Sequence, residues 1–387
     1  MKKNRHHRFE QGPIRPPNEA RSLLLRFTRN CPWNHCLFCP VYKSRDFSLR
    51  SVNEIKADIT TARRMMDRIE KLSHQMGSAG RVDDRVISHI FNDSAASGSF
   101  RSVAGWLYYG AGACFLQDAD NLIMPTDDLV EALEFLKETI QPITRITTYA
   151  RSKTVLKKSE ASLKRIHKAG LDRIHIGLES GCDKVLKLMK KGVTGKEHIH
   201  AGKRVKAAGM SLSEYVMPGL GGQELWREHA EDTATVLNAI NPDFIRLRSL
   251  RVPNRVPLSA KVADETYTLM TDDMVADEIY LFISRLEGID SQIASDHILN
   301  LLPDVQGKLP DDKSRMLDAI DAYRTLGDQD RLIYRVGRRG GSYQSIYELK
   351  QNSSLYGKIK NLIDQVEAEK GPSGVEQLVT EIVDQYI

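Results

Sequence analysis

The chain has 387 residues, 41% hydrophobic and 28% charged, with five cysteines and a formal net charge of +5. That length holds one large domain and an appendage, and no apolar run approaches the ~20 residues that cross a bilayer. The positive charge is concentrated in Lys2, Lys3, Arg5 and Arg8, ahead of the first acid, Glu10, so the remainder is nearly neutral and no broad nucleic-acid-binding face is required.

The basic start, residues 1–20, lacks the apolar stretch of a secretory signal and reads as a solvated tail of a cytoplasmic protein. Short apolar runs then alternate with amphipathic segments. Strands are expected at Leu23–Phe27, Ala113–Leu116, Arg145–Tyr149, Arg173–Gly177, Ser211–Val216 and Phe244–Leu250. Helical patterns occupy Asp128–Thr139, Val155–Ala169, Lys196–Ala208 and Leu225–Ala239. Gly170 and Gly209 each stand directly between a helix and a strand, where glycine closes a helix in the left-handed conformation. Roughly 85 residues separate the first two strands, more than one crossover needs, and about 72–112 reads as a helical insertion. After Val252 the pattern turns mostly helical, with Pro253 and Pro257 at the boundary.

Regular strand–helix alternation implies parallel pairing. The expected fold is α/β: a partial (β/α)6 TIM-like barrel over residues 21–252, followed by a mostly helical C-terminal region, 253–387. In such barrels the chemistry lies at the C-terminal ends of the strands.

The first strand runs into Cys31-Pro32-Trp33-Asn34-His35-Cys36-Leu37-Phe38-Cys39. Three clustered cysteines in a chain without an export signal argue for a metal site rather than a disulfide framework. Three thiolates can hold three irons of a [4Fe–4S] cluster and leave the fourth open. Three other readings stand beside it: a zinc site including His35, a Cys36–Cys39 dithiol pair, or buried structural cysteines. With zinc, the chain would be an RNA-binding module using the basic tail; with the dithiol, an oxidoreductase.

On this loop, with Phe38 just before its last cysteine, the chain resembles the radical S-adenosylmethionine superfamily, with four residues in the first gap where three is commonest. The resemblance implies an enzyme with a [4Fe–4S] cluster on Cys31, Cys36 and Cys39, S-adenosylmethionine as cosubstrate, and a low-potential electron donor of the ferredoxin or flavodoxin type. It also implies roles at later strand ends. Asp118 or Asp120 would meet the methionine ammonium, Arg151 a carboxylate, and Glu179 the ribose hydroxyls or methionine end. Gly219 would lie beside adenine, and the same-facing Arg246 and Arg248 would meet an anion. Independently, a carboxylate such as Glu179 closing an apolar strand is costly to bury without donors.

Cys114 reads as a buried hydrophobe, while Cys182 opens a helix whose dipole lowers a thiol pKa. His175 reads as a packed histidine. Ser295–Leu302 is expected as an amphipathic helix bearing Asp296, His297 and Asn300 on one side, with His297 and Asn300 as candidate catalytic or substrate contacts. Arg331–Arg339 reads either as a phosphate-holding stretch or as an exposed hairpin or strand edge. The substrate itself is not legible: RNA, peptide, lipid and small metabolite all remain open.

Overall fold

The computed structural model describes residues 8–384, so most of the basic tail's charge, on Lys2, Lys3 and Arg5, lies outside the described residues. The chain divides into two compact units. The first comprises residues up to Asn34, Val41–Gly177 and Ala201–Leu212; the second comprises His35–Pro40, Leu178–His200 and the chain from Ser213 onward.

In the first unit β1 (Leu23–Arg26) leads into a small antiparallel ribbon of β2 (Thr28–Arg29) and β3 (Ser48–Leu49). A capping box of Ser51 and Glu54 then starts α1 (Val52–Gln75), satisfying the helix's free backbone donors at that end. Ile55, Ile59, Ala62, Met66 and Ile69 form its buried stripe. The inserted helices α2 (Asp84–Asn92) and α3 (Gly98–Tyr109) follow. β4 (Ala113–Gln117) pairs in parallel with β1, placing Leu23 opposite Cys114. β5 (Arg145–Ala150) pairs in parallel with β4, and the Leu171–Gly177 portion of β6 (Leu171–Glu179) with β5. The crossovers are α4 (Thr126–Thr139), α5 (Ser152–Lys157) and α6 (Glu160–Lys168). Gly170 (φ 116°) and Gly209 (φ 90°) take the left-handed conformation that the sequence required.

In the second unit α7 (Asp183–Leu188) and the start of α8 (Gly195–Ala207) follow β6. The Ser213–Val216 portion of β7 (Ser211–Val216) pairs in parallel with β8 (Phe244–Leu247), and α9 (Gly222–Ile240) links them. The C-terminal region contributes two further strands: β9 (Gln292–Ala294), parallel to β8, and β10 (Gly307–Lys308), antiparallel to β9. Its helices are α10 (Leu258–Ala263), α11 (Asp272–Arg285), α12 (Lys313–Arg324), α13 (Asp328–Arg339), α14 (Ser353–Lys370) and α15 (Pro372–Asp384). The α/β class with parallel pairing and a mostly helical C-terminal region is thus the observed one.

Two local expectations are corrected. Residues 295–302 form turns, not a helix, because Asn300 is drawn into the backbone of the preceding strand connection: its amide donates to Leu247 O and Ser295 Oγ at 2.8 and 3.1 Å. Arg331–Arg339 lies in helix α13, where Arg335 and Arg339 bond Asp272 at 2.9 and 2.8 Å and Arg335 also bonds Glu376. These charges neutralise internal carboxylates instead of facing a phosphate. Among the described residues no helix is long and apolar enough to cross a membrane.

Candidate cluster and cofactor site

The cysteine loop leaves β1 under tight local control. Asn30 and Asn34 adopt left-handed backbone, φ 68° and 48°, which asparagine tolerates better than most side chains. The Asn34 side chain donates to Tyr42 O at 2.6 Å, and Lys43 Nζ donates to Asn34 O at 2.8 Å. This fixes the Asn34 N–H, which points at Cys31 Sγ, 3.4 Å away.

The remainder of the loop is built into the second unit. Leu37 N–H donates to Met189 O and Leu37 O accepts from Leu258 N–H, both at 3.1 Å. Leu37 and Phe38 are buried in an apolar cluster with Met189, Met217 and Leu258, and Cys36 and Cys39 sit at its margin. All three loop cysteines are half-buried and outside any disulfide, whereas Cys114 and Cys182 are buried. Burial pushes the Cys114 thiol well up. It pushes Cys182 up as well, correcting the expectation of an activated thiol: the six-residue α7 that it precedes does not outweigh desolvation.

The first unit holds Asp118, Asp120 and Arg151. Asp118 is fully buried at φ 76° and ion-paired with Arg26, which also bonds Glu10 at 2.8 Å and Asn30 at 3.2 Å. Burial raises the Asp118 carboxyl and Arg26 only partly offsets it. Asp120 accepts the Thr154 hydroxyl; burial pushes it up to about 7, against Thr154, Arg151 and Lys158. Asn121 accepts from Thr28 Oγ1 and donates to Thr148 Oγ1, both at 2.8 Å. Arg151 stacks its guanidinium over Trp33, 4.9 Å from the ring centroid. His175 is fully buried beside Tyr149, ring centroids 5.7 Å apart.

The second unit holds Glu179, Gly219, Arg246, Arg248, His297 and Asn300. Glu179 ends β6 at φ 65°, and its carboxylate accepts from Lys191 Nζ at 3.0 Å. That ammonium also lies 5.8 Å from the Phe38 ring centroid, a cation–π distance. The chain therefore ties the strand-end acid to the cysteine loop through one lysine. Glu214, on β7, is fully buried with neither carboxyl oxygen hydrogen-bonded. Burial, then repulsion from Glu179, holds it well above the ordinary carboxyl range, with Lys191 opposing. Gly219 (φ 88°) donates its N–H to Glu278 Oε2 at 2.8 Å, and its carbonyl accepts from Tyr267 at 2.9 Å.

Arg246 bonds Ser213 Oγ at 3.2 Å and Asp296 Oδ2 at 3.1 Å, so the expected anion is in part this chain's own Asp296. Arg248 donates its backbone N–H to Val216 O at 3.0 Å. His297 is pushed down to about 4 by burial and by Arg248. Asn300 Oδ1 accepts from Ser249 N–H at 2.9 Å, completing a strut between two connections. Sequence reading missed Lys191 and Glu214. Lys191 is one of several lysines between 184 and 191 and had no distinguishing neighbour. Glu214 did carry a signal: an acid inside a short apolar-aromatic strand.

Residues 107–234, about a third of the chain, match the Radical SAM superfamily model. A curated relative, the tRNA uridine(34) acetyltransferase of Methanocaldococcus infernus, is 30% identical over 89 residues, which is 22% of this chain and 16% of the relative. The chain thus spans about one sixth of that relative's length. Among solved structures, the cobalamin-dependent S-adenosylmethionine radical enzyme OxsB aligns over 94% of this chain and 54% of its own, with TM-score 0.44 and 14% identity. The [FeFe]-hydrogenase maturase HydG aligns over 93% and 80%, with TM-score 0.42 and 11% identity.

The matched family model implies a [4Fe–4S] cluster and S-adenosylmethionine. Among the described residues no three His, Cys, Asp or Glu side chains are gathered as a metal site, so the fit rests on donor chemistry. Three half-buried cysteines on one loop suit iron, with an amide directed at Cys31 and an apolar wall beside Cys36 and Cys39.

Proposed function

We propose that this protein is a radical S-adenosylmethionine enzyme in which Cys31, Cys36 and Cys39 hold the [4Fe–4S] cluster. The observation that carries the reading is the C-x4-C-x2-C loop leaving β1, upstream of the segment that matches the superfamily. When bound and reduced, the cluster supplies an electron that splits S-adenosylmethionine into methionine and a 5′-deoxyadenosyl radical, which takes hydrogen from a substrate.

The protein's own part is positional. Leu37 and Phe38 keep water from the side of the loop that they bury, which protects reactive species. Glu179 and Lys191 offer an acceptor and an ammonium to the cosubstrate's polar groups, through charge-assisted hydrogen bonds. Asp120, Arg151, Gly219, Arg246 and Arg248 complete the candidate set, while Asp118 is engaged by Arg26. Residues 21–252 form the catalytic barrel on this reading, residues 253–387 contribute substrate contacts, and a low-potential donor reduces the cluster in the cytoplasm. The 89-residue likeness to a tRNA-modifying enzyme does not fix a substrate.

Anaerobically purified protein should be brown, with about four irons and four sulfides per chain, and its reduced electron paramagnetic resonance signal should change on adding S-adenosylmethionine. Cys31→Ala, Cys36→Ala or Cys39→Ala should abolish 5′-deoxyadenosine formation, while Cys114→Ala should not. Colourless protein with stoichiometric zinc would favour the RNA-binding alternative; activity requiring only Cys36 and Cys39 would favour the dithiol one.

A further inference from the structure

Behind Glu179 lies a buried polar pair that the proposed chemistry does not use. His229, on α9, and Glu278, on α11, have side chains only 1% and 2% exposed. His229 Nδ1 lies 2.5 Å from Glu278 Oε1, an ion-pair contact. His229 Nε2 lies 3.2 Å from the backbone carbonyl of Glu179. A carbonyl only accepts, so Nε2 carries the hydrogen. Glu278 Oε2 in turn accepts the Gly219 N–H at 2.8 Å, and Tyr267 donates to the carbonyls of Gly219 and Leu220 at 2.9 and 3.1 Å.

These contacts converge on two backbone positions of unusual conformation. Glu179 has φ 65° and Gly219 has φ 88°. A glutamate in the left-handed region costs about 1–2 kcal/mol and persists only if its surroundings hold it. The Glu179 carbonyl is held by two donors, Met217 N–H at 3.0 Å and the His229 imidazole. A buried charge-bearing pair is itself a poor source of net stability, so its placement against both left-handed turns calls for a role other than packing.

We propose that His229, oriented by Glu278, is a positioning residue that fixes the Glu179 turn and the Gly219 loop in the geometry that receives the cosubstrate. The proposal rests on the reading of Glu179 as a cosubstrate ligand. The contacts run from Gly219 N–H through the Glu278 carboxyl and the His229 ring to Glu179 O, so one buried pair sets both turns together.

The test uses cluster-loaded protein and equilibrium binding of S-adenosylmethionine, with iron content and melting temperature measured in parallel. Removing one partner would leave the other buried and unpaired, so the disrupting variant is the double His229→Ala/Glu278→Ala. Its affinity should fall about tenfold, the loss of one hydrogen bond to a charged group, with iron content retained. Glu278→Gln can still donate to Nδ1 and accept from Gly219, and should recover most of the affinity. If His229 acts through Glu179, the losses from Glu179→Gln and from the double variant should combine to less than their sum. Unchanged affinity in the double variant, or fully additive losses, would overturn the proposal while leaving Glu179 a ligand. Unchanged affinity in Glu179→Gln alone would overturn the underlying reading, and this proposal with it.

Discussion

Asp118 and Glu179 occupy equivalent stations, one just past β4 and the other at the end of β6, and both have left-handed backbone. Their surroundings differ. Asp118 is fully buried and paired with Arg26, itself held by Glu10 and Asn30. Glu179 is 14% exposed and pairs with Lys191, itself 13% exposed. The first acid belongs to a closed internal network; the second is restrained by a group that can exchange it for a ligand. A carboxylate at the same kind of strand end thus has an arginine partner in one unit and a lysine partner in the other.

The strongest way to break this contrast is to remove Asp118. Asp118→Ala strips Arg26 of one charged partner, a loss of about 1.5–3 kcal/mol. The melting temperature should drop clearly while folded protein keeps most of its S-adenosylmethionine affinity. An affinity loss without a stability loss would move Asp118 to the binding surface. Glu179→Gln should behave in the opposite sense: melting temperature nearly unchanged and cosubstrate affinity lowered about tenfold. Lowered stability at unchanged affinity would make Glu179 another internal ion pair.

This division explains how far the sequence could be read. The strand–helix order, the closing glycines Gly170 and Gly209, and the cysteine loop were legible because each depends on local periodicity or on residue types with few conformational alternatives. The use of each strand-end acid was not legible. Asp118 reads as a ligand until Arg26, 92 positions earlier, is brought against it, and Arg246 reads as free until Asp296, 50 positions later, pairs with it. The 295–302 segment shows the same limit. Its polar spacing suits a helix, but Asn300 bonds the β8 carbonyl Leu247 O and the turn forms instead. Partners distant in the chain decide such cases, and periodicity does not carry them.

Asp120 sharpens the comparison through pH. Its carboxyl is raised from 3.8 to about 7, so between those values the folded state binds more protons than the unfolded one. Stability from this group is full below pH 4 and declines as pH rises toward 7. Asp120→Asn removes the titration and keeps an acceptor for Thr154. Its melting temperature should therefore gain on the parent steadily from pH 4 to pH 7 and level off above. A constant difference across that range would mean that Asp120 is ionised throughout.

The smallest effect is expected at His297, where structural and substrate-contact roles make separable predictions. Burial and Arg248 hold the imidazole down at about 4, against an ordinary 6.5. The unfolded chain thus binds more protons between those values, and the stability from the neutral ring, full above pH 6.5, is lost as pH falls through 4. In His297→Ala this term vanishes, so the parent's advantage in melting temperature should be greatest at neutral pH and shrink toward pH 4. That behaviour needs no substrate. A substrate contact adds a second signature: cluster content and cosubstrate affinity stay intact, but 5′-deoxyadenosine formed without product should rise relative to product. Until the substrate is known, stimulation of cosubstrate cleavage by crude extract serves as the measure, and the variant should respond less than the parent. Equal stimulation, with the pH signature present, would assign His297 to holding the turn after β9 and nothing more, as Asn300 beside it holds Ser249.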